Sequence, residues 1–298
     1  MPRKKAALLM PIRAFFENSS RRVWTRYQLY EALQLHRDKD WDVAQSLTVD
    51  RFISRLIDRG HLHRVVVAPS AGLGYSGESV RYLWGEASAY EVAASLKTDS
   101  YLSHGSAVYL HGLTEQIPKT IYLNKEQADK GARSPNQINM SQGSIDRAFS
   151  RPARVSRYAL EYDDFRVVLI SGKQTRRLEV TEISGPYGES LPVTKLERTL
   201  IDVAVRPGYA GGVLEVLRAY ETARQHVSVA TLVATLKKLD HAYPFHQAIG
   251  FYMERAGYEP AQLERLRALG LKFDFYLMNQ IKDPAYSRDW RLFHPKGM

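Results

Sequence analysis

The stretch TVDRFISRLIDRG, residues 48–60, decides the fold of the first part of the chain. Its apolar side chains recur at the spacing i, i+3, i+4, i+7 and i+8, which predicts an amphipathic helix with one buried face. These side chains are Val49, Phe52, Ile53, Leu56 and Ile57. Thr48 can accept a hydrogen bond from a free N–H of the first turn, and Gly60 can adopt the left-handed conformation that ends a helix. We therefore predict a helix between Thr48 and Gly60.

Two further helices are expected before this stretch. Residues 6–16 carry apolar side chains at helical spacing, and Thr25 can cap a second helix over residues 26–35. The apolar positions assigned to the second helix are Tyr27, Leu29, Tyr30 and Leu33.

The residues after Gly60 favour a β-hairpin. Residues 61–67 and 80–84 are β-rich, and a Gly/Ser loop over residues 69–79 joins them. The order helix, helix, helix, strand, loop, strand is that of a winged helix, a relative of the helix-turn-helix. We predict an α+β fold, with a winged helix-turn-helix in residues 1–84 followed by a mixed α+β, helix-rich domain in residues 85–298.

The polar face of the third helix points to DNA. Arginine can bind guanine through two hydrogen bonds, and serine can bond to a base or a phosphate. In a winged helix the third helix enters the major groove while the hairpin loop touches flanking phosphates. The candidate DNA-binding residues are Thr48, Arg51, Ser54, Arg55, Tyr75, Ser76 and Arg81. Two alternatives stay open at this point: a merely solvated basic helix face, and a winged helix that serves only as a protein interaction module.

Positive charge is concentrated in the same region. The 298 residues include 42 Lys and Arg and 32 Asp and Glu, a net charge of +10. Residues 1–84 hold 14 Lys and Arg against eight Asp and Glu, a net charge of +6 in under a third of the chain. A compact basic region is typical of proteins with an anionic partner, most often a nucleic acid.

Several classes of site are excluded by the residues themselves. The chain has no cysteine, which excludes disulfides, thiol catalysis and cysteine-ligated metals. Residues 72–77 match G-x-G-x-x-G, but that fingerprint requires a following helix and a strand is predicted there. No window has the ~18 consecutive apolar residues of a membrane span. We expect no cofactor, no metal, no catalytic residue and no membrane partner, and a cytoplasmic protein.

Residues 85–298 alternate between helical and strand patterns. Ser88 and Glu91 form a capping-box pattern, and Ser103 and Thr194 each precede an amphipathic stretch that they can cap. Residues 128–157 are polar and rich in arginine, and are either a long surface loop or a functional insertion. Helices are predicted over residues 89–96, 104–111, 195–204, 211–224, 229–239, 243–256 and 260–268, and strands over 120–123, 166–170, 178–183 and 274–277.

Three segments of this second region resemble a known family. Residues 101–113 read YLSHGSAVYLHGL, residues 116–118 read QIP, and residues 194–202 read TKLERTLID. They look like the AbiE-type (AbiEi-like) antitoxins of type IV toxin–antitoxin systems, which join an N-terminal winged helix to a C-terminal antitoxin domain.

The resemblance implies a function in phage defence by abortive infection. The winged helix would bind inverted repeats of double-stranded DNA in its own promoter and repress a two-gene operon. The C-terminal domain would counter a nucleotidyltransferase-like toxin. Neutralisation in a type IV system does not require a stable complex, so the resemblance leaves direct toxin binding open.

The polar residues of these segments have two interpretations. A buried hydrogen bond or ion pair is favoured about twofold over a binding surface, yet these residues are the best candidates for a functional surface of the antitoxin-like domain. They are His104, His111, Glu197, Arg198 and Asp202.

A rival function is an enzyme that processes nucleic acid and is targeted by the winged helix. Its metal would need clustered carboxylates, for which Glu161, Asp163 and Asp164 are the nearest candidates. A protein-only adaptor is the third hypothesis.

Overall fold

The computed structural model describes residues 9–38, 45–71, 77–128 and 140–298. This part of the chain forms two compact units. Unit 1 contains the described residues up to Asp99 together with Tyr158–Val167 and Glu182–Leu191. Unit 2 contains the described residues of Ser100–Arg157, Val168–Thr181 and Pro192–Met298. The predicted boundary between residues 84 and 85 therefore lies inside unit 1.

Unit 1 begins with three helices and an antiparallel hairpin. In chain order its elements are α1 (Leu9–Glu17), β1 (Val23–Trp24), α2 (Arg26–Asp38), α3 (Val49–Asp58), β2 (Leu62–Pro69), β3 (Ser79–Trp84), α4 (Ala89–Ala94) and β6 (Ala159–Tyr162). Strand β3 pairs antiparallel with β1 and with β2, and β2 continues into an antiparallel pairing with β6. The order of elements agrees with the sequence prediction up to Trp84.

Both ends of α3 have the predicted chemistry. The Thr48 hydroxyl accepts a hydrogen bond from the N–H of Arg51 at 3.3 Å. At the other end Gly60 has a φ of 70°, which costs glycine little because it lacks a Cβ atom. The N–H of Gly60 donates to the carbonyl of Ile57 at 2.8 Å, and the N–H of His61 donates to that of Leu56 at 2.9 Å. These paired bonds form a Schellman motif and turn the chain directly into β2.

The core of unit 1 is aromatic and aliphatic. The ring of Phe16 stacks on Trp84 at 4.6 Å and meets Trp24 edge-on at 4.9 Å. Leu29 and Leu33 of α2 and Leu56 of α3 are fully buried in the same cluster. The two helices are thereby held by their apolar faces, so their polar faces point to solvent.

Unit 2 begins with strands and helices in alternation, continues with a run of helices and ends with three short strands. Its elements are β4 (Tyr101–Leu102), α5 (His104–Leu110), β5 (Thr120–Glu126), α6 (Gln142–Phe149), α7 (Leu196–Val205), a 3₁₀ turn (Pro207–Ala210), α8 (Val213–Ala223), α9 (Val229–Leu239), α10 (Phe245–Arg255), α11 (Pro260–Arg267), β10 (Phe275–Tyr276), β11 (Pro284–Ser287) and β12 (Leu292–Pro295). Strands β7 (Phe165–Gly172), β8 (Val180–Ser184) and β9 (Ser190–Thr194) contribute residues to both units. In unit 2, β4 pairs antiparallel with β5 and parallel with β9.

A three-stranded sheet ends unit 2. Its order is β10-β12-β11, with β10 parallel and β11 antiparallel to β12. Trp290 precedes β12 and is fully buried against α10, where Gly250 leaves room for its ring. Gln247 of α10 donates to the carbonyl of Trp290 at 2.7 Å, which fixes the same segment.

The structure corrects several local predictions. Residues 128–157 are not simply a loop, because α6 lies within them and buries Ile145 and Phe149. Ser88 caps α4, but Glu91 accepts hydrogen bonds from the N–H groups of Arg22 and Val23 and so does not complete a capping box.

The other two predicted caps also differ. The Ser103 hydroxyl makes no capping bond, and Lys195 rather than Thr194 stands at the start of α7. Strands β6, β11 and β12 were not predicted, since none has a strong alternating pattern.

The described residues thus form a mixed α+β protein with 11 α-helices. Among these residues no helix is long and apolar enough to span a bilayer.

We expect Gly250→Ala to destabilise the protein by about 1–3 kcal/mol, because the added Cβ would overlap the Trp290 ring. The matched control is Gly143→Ala in α6, where a Cβ meets open space and helix propensity improves by up to about 1 kcal/mol. Urea unfolding of both variants measures the difference. Equal stability of Gly250→Ala and the wild type would contradict the proposed packing.

Candidate nucleic-acid interface

The outer face of α3 presents the cations predicted from sequence. Arg51, Ser54 and Arg55 are exposed, whereas Phe52, Ile53 and Leu56 on the opposite face are buried. The side chains of Arg51 and Arg55 form no hydrogen bond or ion pair with any described residue. Both guanidinium groups therefore keep their full set of donors for an external anion.

Thr48 is exposed, but its hydroxyl is engaged. It accepts the N–H of Arg51 as the cap of α3, so its first role is to set where the helix begins. Because Thr48 is exposed, the N-terminal end of α3, which carries the positive end of the helix dipole, lies at the surface of unit 1.

An ion pair joins the first turns of α2 and α3. Arg26 donates through Nε and Nη2 to the two carboxylate oxygens of Asp50, each at 3.0 Å. Both side chains are exposed, and the hydrogen bond from Arg26 lowers the pKa of Asp50. Because Arg26 neutralises the acid next to Arg51, the positive charge of the α3 face is preserved.

Two tyrosines of α2 lie on the surface and not in the core. Tyr27 and Tyr30 are 67 % and 45 % exposed, which corrects their assignment as apolar contacts of the second helix. The buried positions of α2 are Leu29, Ala32, Leu33 and His36. That spacing of i, i+3, i+4 and i+7 was present in the sequence and could have placed the tyrosines opposite the core.

Arg81 does not belong to the exposed surface. It is buried on β3, and its guanidinium donates to the Ser95 hydroxyl at 2.9 Å, the Ser95 carbonyl at 3.0 Å and the Val80 carbonyl at 2.8 Å. Burial lowers its pKa. The predicted phosphate contact is wrong for this residue, because its donors are already used inside unit 1. Tyr75 and Ser76 lie outside the described residues.

In unit 2, Arg198 and Asp202 form a buried ion pair. Nε of Arg198 donates to Oδ1 of Asp202 at 2.8 Å, one helical turn apart on α7. Nη1 of Arg198 also donates to the Leu178 carbonyl at 2.9 Å. Burial alone would lower the pKa of Arg198, but the charge of Asp202 outweighs it and the pKa is raised. The buried ion-pair interpretation therefore holds for these two residues.

His104 has a strained backbone and a buried ring. It begins α5 with a φ of 51°, a conformation uncommon for residues other than glycine. Its Nδ1 lies 2.9 Å from the Ser103 hydroxyl, and its ring meets Tyr209 edge-on at 5.3 Å. Burial lowers the pKa of His104 to about 4, so the ring is neutral at pH 7.

His111 and Glu197 make separate contacts. Nε2 of His111 lies 2.7 Å from the carbonyl of Thr194, and a Glu197 carboxylate oxygen accepts the N–H of Ser228 at 2.9 Å. Of the five predicted residues of this domain, the structure brings His104, Arg198 and Asp202 near one another and assigns the other two to structural hydrogen bonds.

The sequence analysis did not identify Glu126, a carboxylate that connects several segments of unit 2 by hydrogen bonds. Glu126 accepts hydrogen bonds from the Tyr101 hydroxyl at 3.0 Å and from the N–H of Thr175 at 3.0 Å. It also accepts the N–H of Arg177 at 3.2 Å. Burial raises the pKa of Glu126, but these hydrogen bonds outweigh it and the pKa is lowered. No local motif could reveal this group, because its partners lie 25 to 51 residues away in sequence.

The carboxylates considered for a metal do not form a set with other ligands. Asp163 and Asp164 lie in the turn between β6 and β7, and both are exposed. Within residues 9–38, 45–71, 77–128 and 140–298, no group of three His, Asp or Glu side chains is placed to hold a metal ion.

The fold has a counterpart among solved structures. The crystal structure of the Rv2827c protein from Mycobacterium tuberculosis aligns with a TM-score of 0.57 and 15 % sequence identity, over 98 % of this chain and 92 % of that one. At this identity the likeness shows the fold alone. No protein-family model and no curated protein matches the chain.

We expect the free energy of unfolding to fall as the pH is lowered from about 6.5 to about 4. Unfolded histidine has a pKa of about 6.5, whereas that of folded His104 is about 4. Between these values the unfolded chain binds a proton that the folded chain does not, so His104 removes up to about 3 kcal/mol of stability near pH 4.

Urea titrations across this pH range measure the slope. His104→Gln should make the slope shallower without removing it, because burial also lowers the pKa of His241 to about 4, and the matched control is His226→Gln, which changes an exposed histidine. An unchanged slope in His104→Gln would show that the His104 ring is not held neutral in the fold.

Proposed function

We propose that the protein is a DNA-binding transcriptional repressor whose unit 1 is a winged helix. The observation that carries this proposal is the outer face of α3, where Arg51 and Arg55 are exposed and unpaired among the described residues. In a winged helix the third helix lies in the major groove, where arginine reads guanine and serine bonds to a base or a phosphate. Three further features support the proposal: the order of the three helices, the β1-β3-β2 strands and the net charge of +6 over residues 1–84.

The first turn of α2 extends this proposed interface. The Arg26–Asp50 ion pair sets the spacing of the two helix starts, and Tyr27 and Tyr30 are exposed on α2. In helix-turn-helix proteins the helix before the recognition helix crosses the phosphate backbone. A tyrosine hydroxyl can donate to a phosphate oxygen, and because the Tyr27 hydroxyl is hydrogen-bonded to Glu31, Tyr30 is the residue that joins the proposed backbone contacts.

We further propose that the protein is the antitoxin of a type IV, AbiE-like operon and acts without catalysis. The support is the resemblance of residues 101–113 and 194–202 to that family, together with a contact between the two segments. His111 from the first segment lies 2.7 Å from the Thr194 carbonyl of the second. The functional partner would be a nucleotidyltransferase-like toxin, the DNA would be promoter inverted repeats, and the compartment would be the cytoplasm.

Replacing Arg51 and Arg55 with alanine should abolish specific promoter binding. Each bidentate arginine contributes about 1–3 kcal/mol, so the double variant should lose roughly 100-fold in affinity or more. The matched control is Arg13→Ala with Arg21→Ala, which removes the same charge from unit 1 outside α3. Gel shifts at fixed salt measure both, and equal losses in the two variants would mean that overall charge, not the α3 face, binds DNA.

The same variants separate repression from antitoxicity in the full chain. The Arg51 and Arg55 double variant should derepress the operon and still rescue cells that express the toxin. Full-length protein is needed, because removing residues 1–84 would take away β2, whose Ala68 and Pro69 pair with Glu161 and Leu160. If the double variant is folded but fails to rescue, the proposed division of functions is wrong.

A further inference from the structure

A row of aromatic side chains crosses the three-stranded sheet of unit 2. Tyr276 on β10 and Tyr286 on β11 are both directly opposite Phe293 on β12. Residues directly opposite one another share a face of the sheet, and these rings lie 5.0 and 4.9 Å apart. The neighbouring residues Phe275 and Leu292 are buried on the other face. We call Tyr276, Phe293 and Tyr286 the aromatic row.

One ring of the aromatic row is exposed, and the hydroxyls of both tyrosines are held in place. Tyr286 is 42 % exposed, and the other two rings are half-buried. The Tyr286 hydroxyl donates to Asp274 Oδ1 at 2.7 Å, and the Tyr276 hydroxyl donates to Asp146 Oδ1 at 3.0 Å. Rings fixed by their hydroxyls can receive a flat ligand without a large loss of side-chain entropy.

A basic segment lies beside the aromatic row. Residues 147–157 contain four arginines and no acidic residue, and we call this segment the arginine strap. Its arginines are Arg147, Arg151, Arg154 and Arg157. All four are exposed, and their side chains form no ion pair or hydrogen bond within the described part of the chain.

The backbone of the arginine strap is tied down although its side chains are not. Asn279 donates to the carbonyl of Arg151 at 3.0 Å, and Arg206 donates to that of Arg154 at 3.3 Å. The N–H of Ser156 donates to the Tyr209 hydroxyl at 2.7 Å. The strap therefore presents its cations from a fixed path.

Direct contacts join the two features. Phe149, within the strap, stacks on Tyr276 with ring centroids 5.5 Å apart, and its carbonyl accepts the N–H of Gln280 at 2.8 Å. Phe149 itself is buried, so these contacts fix the backbone of the strap beside β10 while the four arginine side chains remain exposed.

We propose that the aromatic row and the arginine strap bind single-stranded RNA. Proteins that bind single strands combine a basic track for the phosphates with aromatic side chains on which successive bases stack. The exposed ring of Tyr286 favours a single strand over a duplex, because paired bases are stacked on one another and do not present their faces to it.

The acid at the edge of the row favours RNA over DNA. Asp274 accepts from Tyr286 and from Nε of Arg291 at 2.9 Å, both through Oδ1. The other carboxylate oxygen, Oδ2, receives no hydrogen bond from a described residue, and a donor on the ligand would lessen its repulsion of the phosphates. The ribose 2′-hydroxyl can donate a hydrogen bond, and deoxyribose lacks it. This inference goes beyond the proposed function and does not depend on it.

Fluorescence anisotropy with a labelled oligouridylate of about 12 nucleotides tests the aromatic row. Tyr286→Ala in the full-length protein should weaken binding about tenfold or more, because a stacking partner is lost. Tyr286→Phe retains the ring and should stay within about threefold of the wild type. Tyr187→Ala, which removes another exposed tyrosine, should have no effect.

The salt dependence tests the arginine strap. Replacing Arg151, Arg154 and Arg157 with glutamine should reduce the slope of log K against log salt by about 2, since each phosphate contact on a single strand contributes about 0.7. Replacement of the same residues with lysine should restore the slope. Thermal melts of each variant check that the fold is retained.

Four outcomes would overturn the proposal: no measurable binding of the oligouridylate, unchanged affinity in Tyr286→Ala, equal affinity for the DNA strand of matching sequence, or tighter binding of a DNA duplex to this surface. The Arg51 and Arg55 double variant should bind the RNA as the wild type does. Loss of promoter binding alone therefore leaves the RNA proposal intact, and loss of RNA binding alone leaves the repressor proposal intact.

Discussion

A buried charge without a partner costs several kilocalories per mole, so the pairing of each arginine decides where it can lie. Arg198 is in the core of unit 2 because Asp202 and the Leu178 carbonyl receive its donors. Arg81 is in the interior of unit 1 because the Ser95 hydroxyl and the Val80 carbonyl accept hydrogen bonds from its guanidinium. Arginines that lack such partners, among them Arg51, Arg55 and those of the arginine strap, are exposed. The basic surfaces of the protein are therefore formed by the arginines that have no such partners in the interior.

The parts of the fold that could be predicted from sequence are those determined by local physics. The spacing of Phe52, Ile53 and Leu56, with a cap at Thr48 and a left-handed glycine at Gly60, contains nearly all the information needed for α3. Helix α9 also lies at its predicted bounds, since a Ser228 cap and a regular apolar stripe define it. In each case the stabilising contacts come from residues within a few positions of the helix.

The parts that failed depend on partners far away in the chain. A serine followed three residues later by glutamate predicts a capping box, yet Glu91 instead accepts N–H groups nearly 70 residues earlier. Strand β11 was missed for a different reason: its partner β12 is close in the chain, but β11 is short and contains a proline. Some residues of the candidate site could likewise be predicted from local sequence, and others could not. The exposed face of α3 follows from its own periodicity, whereas the burial of Arg81 follows from Ser95 and could not be read from the β3 pattern.

The two basic surfaces differ in what they offer besides charge. The α3 face joins its arginines to a serine and a helix start, which are groups that hydrogen-bond to base edges and phosphates in a groove. Three of the four strap arginines, Arg151, Arg154 and Arg157, lie on irregular backbone after α6, and Phe149 of the strap stacks on Tyr276 of the aromatic row. Stacking on rings is tolerant of sequence and persists at high salt, whereas phosphate contacts weaken steeply as salt rises. A strand held by both would therefore keep part of its affinity at salt concentrations that release a ligand held through phosphates alone. This difference follows from the side chains themselves, and it is the reason the two proposals assign a different chemical class of partner to each surface.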